Sequence, residues 1–178
     1  MDISRILRAV RFAVVAHEGQ YRKDGTTPYI VHPIEVAGVL SEALSDSDYF
    51  ADMNTEAVMA AILHDTIEDT DVEAGHIEAE FGPEVSRLVQ EVTEDKTEGN
   101  RSIRKNAYRR KLADASSLGK SIKAADVICN SSTVRRDDPD FAESYLKEQK
   151  RVLEVLEGAD KQLLLAAKEI VNRELEGI

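Results

Sequence analysis

Apolar residues recur at intervals of three and four almost from end to end, and that period constrains the fold more than any other feature of the chain. Ile3, Leu7, Val10, Val14 and His17 share one face of a first helix expected to end near Gly19, with His17 read as a packing residue. Gln20 to Pro33 reads as a loop containing Gly25 and Pro28. Pro33 suits a first helical position, where its fixed φ helps and its missing N–H costs nothing. The helix it opens runs to about Ser45 and buries Val36, Ala37, Leu40 and Leu44. After a polar link from Asp46 to Asp52, Asn54 caps a helix whose interior (Ala57, Val58, Ala60, Ala61, Ile62, Leu63) is apolar nearly all round. Thr70 and Glu73 have capping-box spacing for a short helix ending at Phe81-Gly82, and Pro83 opens another with Val85, Leu88, Val89 and Val92 inward.

Beyond a polar stretch from Thr93 to about Asn100, the pattern predicts a basic helix through Leu112. A further helix carries Ile122, Ala125, Asp126 and Cys129 to about Thr133. Two long amphipathic helices follow from about residue 138, one with Phe141, Tyr145, Gln149, Val152 and Leu156 and one with Leu163, Ala167, Ile170 and Val171. Their apolar faces could close the domain or pair with a second subunit in a homo-oligomer. No stretch alternates with period two long enough for a strand. The expectation is a single all-α domain over residues 1–178, a bundle of about eight or nine helices; this length excludes a two-domain enzyme. With 42% apolar and 32% charged residues and no Trp, the composition is that of a soluble globular chain with an aliphatic core. The single cysteine, Cys129, cannot form an internal disulfide and reads as a small packing residue. No apolar run suits a signal peptide or a membrane span, so the expected setting is cytoplasmic, away from membranes.

The net charge of −11 argues against a nucleic-acid partner, because phosphate-backbone binders usually present a basic domain or face. Its distribution is uneven. Lys96 to Lys123 holds nine basic residues against Glu98 and Asp114, a net of +7, which leaves −18 on the remainder. Such a run is either a solvated helix face or a local funnel for a small polyanion, with Lys105 and Arg109 as candidate contacts.

The densest chemistry is His64-Asp65-Thr66-Ile67-Glu68-Asp69, directly after the apolar helix. Continued at 3.6 residues per turn, that helix stacks His64 under Glu68 and Asp65 under Asp69 in one polar stripe. Three carboxylates and an imidazole buried together need compensation, which a cation supplies directly; the ordinary alternative is a helix ending near Thr66 with wet acids. His32 precedes the rigid Pro33, and Asp126 interrupts the apolar run from Ala124 to Ile128; a helix cap and a partner for a basic residue are their ordinary roles. Together His32, His64, Asp65 and Asp126 offer two nitrogens and two oxygens, a set suited to Mn²⁺ or another first-row divalent ion with positions left for water.

These residues and their flanks resemble a known group. Tyr21-Arg22-Lys23-Asp24-Gly25, Pro28-Tyr29-Ile30-Val31-His32-Pro33, Leu63 to Thr70 and Phe81-Gly82 resemble the hydrolase domain of the RelA/SpoT proteins, within the HD-domain metal-dependent phosphohydrolases; its single-domain members are called small alarmone hydrolases. The resemblance covers roughly residues 3 to 134. It implies an HD-domain helical bundle that removes the 3′-pyrophosphate from guanosine tetra- or pentaphosphate, giving GDP or GTP and pyrophosphate. It also implies Mn²⁺ on His32, His64, Asp65 and Asp126. Glu68 and Asp69 then match the acidic pair that prepares the water. Arg22 matches a residue that packs on guanine, Asn130 and Thr133 match contacts near sugar and phosphate, and Lys23 falls beside them. The chain departs from the family's usual Lys-Leu-Ala-Asp-Arg-Leu-His-Asn by carrying Val127 and Cys129 where Arg and His stand. Alternative readings are an HD phosphohydrolase of a 2′-phosphorylated dinucleotide or a deoxynucleoside triphosphate, and a non-catalytic nucleotide sensor; the presence of Glu68 and Asp69 favours an enzyme.

Overall fold

A computed structural model describes residues 1–45, 54–97 and 99–178 and is helical throughout, apart from an isolated antiparallel bridge between Tyr21 and Pro28. Among the described residues, nine helices of eight or more residues and two single turns build the fold, as the period predicts. The expected link from Asp46 to Asp52 lies outside them.

α1 (Ile3–Ala16) begins at Asp2, whose carboxylate accepts the Arg5 N–H. Its inward face corrects the sequence reading: Ala9 and Ala13 are fully buried, whereas Ile3, Leu7 and Val14 are exposed. α1 packs on α3 (Asn54–Leu63), where Ala57, Ala60 and Ala61 are buried. Small residues on both helices let the backbones approach, so the alanine side faces inward although the larger apolar side chains lie opposite. α2 (Val31–Ser45) starts two residues before Pro33 and buries the four residues expected. α3 is surrounded by α1, α2, α6 and α8 and is apolar on every side.

α4 (Thr66–Asp69) is a single turn. α5 (Ala74–Phe81) takes Glu73 as its N-cap, with the Glu73 N–H donated to Nδ1 of the exposed His76. Thr70 closes α4 instead, its hydroxyl donating to the Thr66 carbonyl, which displaces the expected Thr70 cap. Gly82, at φ +95°, makes the sharp turn into α6 (Pro83–Val92) that a side chain would strain. α7 (Arg101–Asp114), α8 (Ser117–Ser131) and the single turn α9 (Val134–Asp137) lead to α10 (Pro139–Val155) and α11 (Lys161–Glu176). Asn100, Ser116 and Asp160 cap α7, α8 and α11 through side-chain oxygens. Leu146, Val152, Leu156, Leu163, Ala167 and Val171 join the core that α2, α3 and α8 build, so the two C-terminal helices close this chain's own interior. No described helix is long and apolar enough to cross a membrane.

Candidate metal centre

The first turn of α2, the turn between α3 and α4, and the middle of α8 meet at one point, and each brings a polar side chain into an apolar interior. His32 is 1% exposed, His64 4% and Asp126 4%. α3 stops at Leu63 because the chain turns there: Thr66 Oγ1 donates to the Leu63 carbonyl, and His64 Nδ1 pairs with the Ala61 carbonyl at 2.8 Å. The continuous stripe expected from the sequence is therefore broken. Asp65 still lies under Asp69, whose N–H donates to the Asp65 carbonyl, while His64 turns inward.

His32 Nε2 lies 3.1 Å from Asp126 Oδ1 and 3.6 Å from Asp65 Oδ2; His64 Nε2 lies 3.1 Å from Asp65 Oδ2 and 3.8 Å from Asp126 Oδ1. Neither Nε2 makes an aligned hydrogen bond, although both are buried. One donor atom from each of His32, His64 and Asp126 falls within 4.8 Å of the other two. Ligands about 2.1 Å from one ion and at right angles lie about 3.0 Å apart, so these separations suit a divalent first-row cation. The Ala61 carbonyl holds the proton on His64 Nδ1 and leaves the Nε2 lone pair aimed at the cluster, as metal-ligating imidazoles require. The residues present fit a divalent metal.

Charge around the cluster is balanced by other elements. Burial raises the Asp126 carboxyl, but the Lys123 ammonium, with Nζ at 2.6 Å, holds it well below the usual carboxylate range. Asn130 Nδ2 donates to the other Asp126 oxygen at 2.6 Å, and Arg22 Nη2 donates to Asn130 Oδ1 at 2.9 Å. On Asp65, the Tyr29 hydroxyl donates to Oδ2 at 2.6 Å. Burial pushes the Glu68 carboxyl up from its ordinary value, while the Glu94 N–H, 2.9 Å from Oε2, works against that rise. Asp69 is exposed, and its Oδ1 meets Lys96 Nζ at 2.6 Å.

Two cavities share this site. One of about 190 Å³ is lined by His64, Asp65, Glu68, Asp126, Lys105 and Lys123 among others. The other, about 330 Å³, is lined by Arg22, Lys23, Asn130 and Thr133, the sequence-predicted nucleotide contacts, together with Phe141 and Tyr145. Tyr29, Asp69, Asn130 and Tyr145 border both.

The basic segment is neither a wholly solvated face nor an open funnel. Lys105 reaches the inner cavity but is paired to Glu94 at 2.6 Å, and Lys111 donates to the Thr93 carbonyl. Arg109 pairs with Glu148 and lines a separate cleft with Ile103 and Ala113, so the fold does not bring it to the cluster. Val127 is fully buried and Cys129 half-buried, where burial pushes the thiol up to about 12, so both are packing residues. His17 is buried, with its ring 4.8 Å from that of Tyr29. Sequence reasoning missed Tyr29, Glu94, Tyr108 and Tyr145 as site residues. Only Lys123 carried a local signal, its spacing of three from Asp126.

A helical shell around buried imidazoles and carboxylates, with a cleft of nucleotide size beside it, defines a helical metal-centre protein. The chain belongs to the HD-domain family, whose model matches residues 9–130. It is homologous over nearly its whole length to the guanosine-3′,5′-bis(diphosphate) 3′-pyrophosphohydrolase MESH1 of Homo sapiens, 35% identical over 97% of this chain and 96% of that protein. A solved structure described as a metazoan ortholog of SpoT that hydrolyzes ppGpp matches with a TM-score of 0.83 at 32% identity, covering 95% of this chain and 94% of its own. The structure of lmo0812 from Listeria monocytogenes matches with a TM-score of 0.67 at 25% identity, over 84% of this chain and 96% of its own.

Proposed function

We propose that residues 1–178 act as one HD hydrolase domain, a Mn²⁺-dependent guanosine-3′,5′-bis(diphosphate) 3′-pyrophosphohydrolase that releases pyrophosphate and leaves GDP, or GTP from the pentaphosphate. The observation that carries this reading is the buried group of His32, His64 and Asp126 beside a nucleotide-sized cleft, in a chain 35% identical to a protein of that named activity. His32, His64, Asp65 and Asp126 would hold the ion. When bound, it lowers the pKa of water and offsets charge on a phosphate oxygen.

The chain's own groups supply the rest. Glu68 and Asp69 line the inner cavity, where they orient a water and accept its proton, and burial raises the Glu68 carboxyl, which suits it to that task. Lys123 and Lys105 set positive charge against the phosphates, and Tyr108 and Tyr145 limit water in the cavity. Arg22, held by Asn130, offers a guanidinium plane for a purine, with Lys23 and Thr133 along the same wall. Arg109, tied to Glu148, takes no part.

The test offers guanosine tetraphosphate, a 2′-phosphorylated dinucleotide and a deoxynucleoside triphosphate with Mn²⁺ and compares kcat/KM. The tetraphosphate is expected to be fastest. A higher kcat/KM on either competitor, phosphate release from the 2′-phosphorylated dinucleotide included, would overturn the substrate assignment, and nucleotide binding without any turnover would make the protein a sensor.

A further inference from the structure

Tyr29 is one of the four residues that border both cavities, and it makes three kinds of contact there. Its hydroxyl donates to Asp65 Oδ2 at 2.6 Å and lies 3.4 Å from Asp69 Oδ2. A phenol has one hydrogen to donate, and the distances assign it to Asp65. The same Asp65 oxygen is the one that approaches both imidazoles. A carboxylate oxygen accepts from about two directions, so the phenol occupies one and leaves the other toward the cluster.

The ring is held as firmly as the hydroxyl. It stands 4.8 Å from the His17 ring, 5.9 Å edge-on from the His32 ring, and 6.0 Å beneath the Arg22 guanidinium. His17, just past the end of α1, is fixed by Nδ1 to Gln20 Oε1 at 2.8 Å, and Gln20 Nε2 donates to the Asp69 carbonyl at 2.8 Å. The turn that ends α1 thus braces Tyr29 from behind and the backbone of Asp69 from the side. It contributes nothing to the cluster itself.

We propose that Tyr29 is a positioning residue that sets the Asp65 carboxylate for metal binding through its hydroxyl, braced by the His17–Gln20 turn, while its ring serves the nucleotide cavity separately. The proposal rests on the reading of His32, His64, Asp65 and Asp126 as a metal centre. Partners that orient ligating side chains are worth about 10- to 100-fold in metal affinity or activity.

Tyr29→Phe keeps the ring against His17 and under Arg22 and removes only the hydroxyl. Mn²⁺ titrated into metal-free protein in a calorimeter should bind about 10- to 100-fold more weakly to the variant. At saturating Mn²⁺ its kcat should fall while KM for guanosine tetraphosphate stays within about twofold, because the ring that faces the nucleotide is unchanged. The metal-free melting temperature should drop by about 3–12 °C, the scale of one lost hydrogen bond to a carboxylate in a chain of this size. A variant that melts lower yet binds Mn²⁺ like the wild type has lost only packing, and that result overturns the proposal, as does an unchanged Kd with unchanged kcat. A wild-type protein that takes up no Mn²⁺ in the parallel titration refutes the metal-centre reading instead, and the two failures are read from different samples.

Discussion

Replacing Lys123 by Met removes the ammonium 2.6 Å from Asp126 Oδ2 and keeps a stem of similar length beside Tyr108, whose ring lies 5.5 Å from Nζ. Both partners are enclosed, with side-chain exposures of 16% and 6%. Without the ammonium, metal-free protein must keep a buried carboxylate poorly compensated or protonate it. Protonating an ordinary aspartate at pH 7 costs about 4 kcal/mol, roughly three pH units at 1.36 kcal/mol each, which sets a ceiling on the penalty. Breaking a buried pair typically costs about 3–5 kcal/mol, so about 3–4 kcal/mol is expected, or a fall in melting temperature of about 6–16 °C.

The sign of the pH dependence follows from the same pair. Asp126 is held below its unfolded value, so its contribution is present above about pH 4 and lost as pH falls through the folded pKa; Lys123 is raised well above its ordinary value, so its contribution is present below about pH 10 and lost as pH rises through that higher value. The deficit of Lys123→Met should therefore shrink to about 2 kcal/mol near pH 5.5, where neutralising the carboxyl is easier. Mn²⁺ should shrink it too, since a cation on the imidazole side of Asp126 replaces the lost charge. Urea unfolding of metal-free and Mn²⁺-loaded protein at both pH values reads all of this. A metal-free deficit below about 1 kcal/mol at pH 7, the worth of an exposed pair, would refute the reasoning.

His64→Ala or Asp65→Ala should lose the single Mn²⁺ that wild type retains, read by metal analysis after desalting; unchanged occupancy in both would exclude the cluster. Glu68→Gln combined with Asp69→Asn should abolish turnover while metal and nucleotide still bind in calorimetry, and full activity in the double variant would remove both acids from the chemistry. Lys105→Glu should raise KM and weaken its salt dependence, whereas Arg109→Glu should leave KM unchanged, because only Lys105 lines the inner cavity. A raised KM in Arg109→Glu alone would reverse that assignment.

The helical class, the helix order and the burial of α2 and α6 were legible because large apolar side chains at intervals of three and four decide those elements, and that of α3 because its interior is apolar nearly all round. α1 misled for a physical reason: Ile3, Leu7 and Val14 outweigh Ala9 and Ala13 in any hydrophobic pattern, yet close helix approach selects the smaller pair. That His32, His64 and Asp126 meet was readable because a carboxylate inside an apolar run, as at Asp126, demands a partner. Their supports were not. Tyr29 looks like a loop aromatic, Tyr145 like a core residue and Glu94 like a solvated acid, and only the fold brings the α6–α7 link and α10 against the cluster. Lys105 and Arg109 lie four residues apart on one helix, but the fold pairs Lys105 with Glu94 and Arg109 with Glu148 of α10.

Hydrolysis of guanosine tetraphosphate in ¹⁸O-labelled water with Mn²⁺, followed by mass analysis of both products, tests the central claim most directly. Attack of water on the phosphorus joined to the 3′ oxygen breaks that P–O bond and puts the label in pyrophosphate, leaving GDP with its original 3′ oxygen. One ¹⁸O in pyrophosphate, none in GDP, and no reaction with His64→Ala is the expected result. Label in the GDP hydroxyl, stepwise release of inorganic phosphate, or equal turnover by His64→Ala would contradict it.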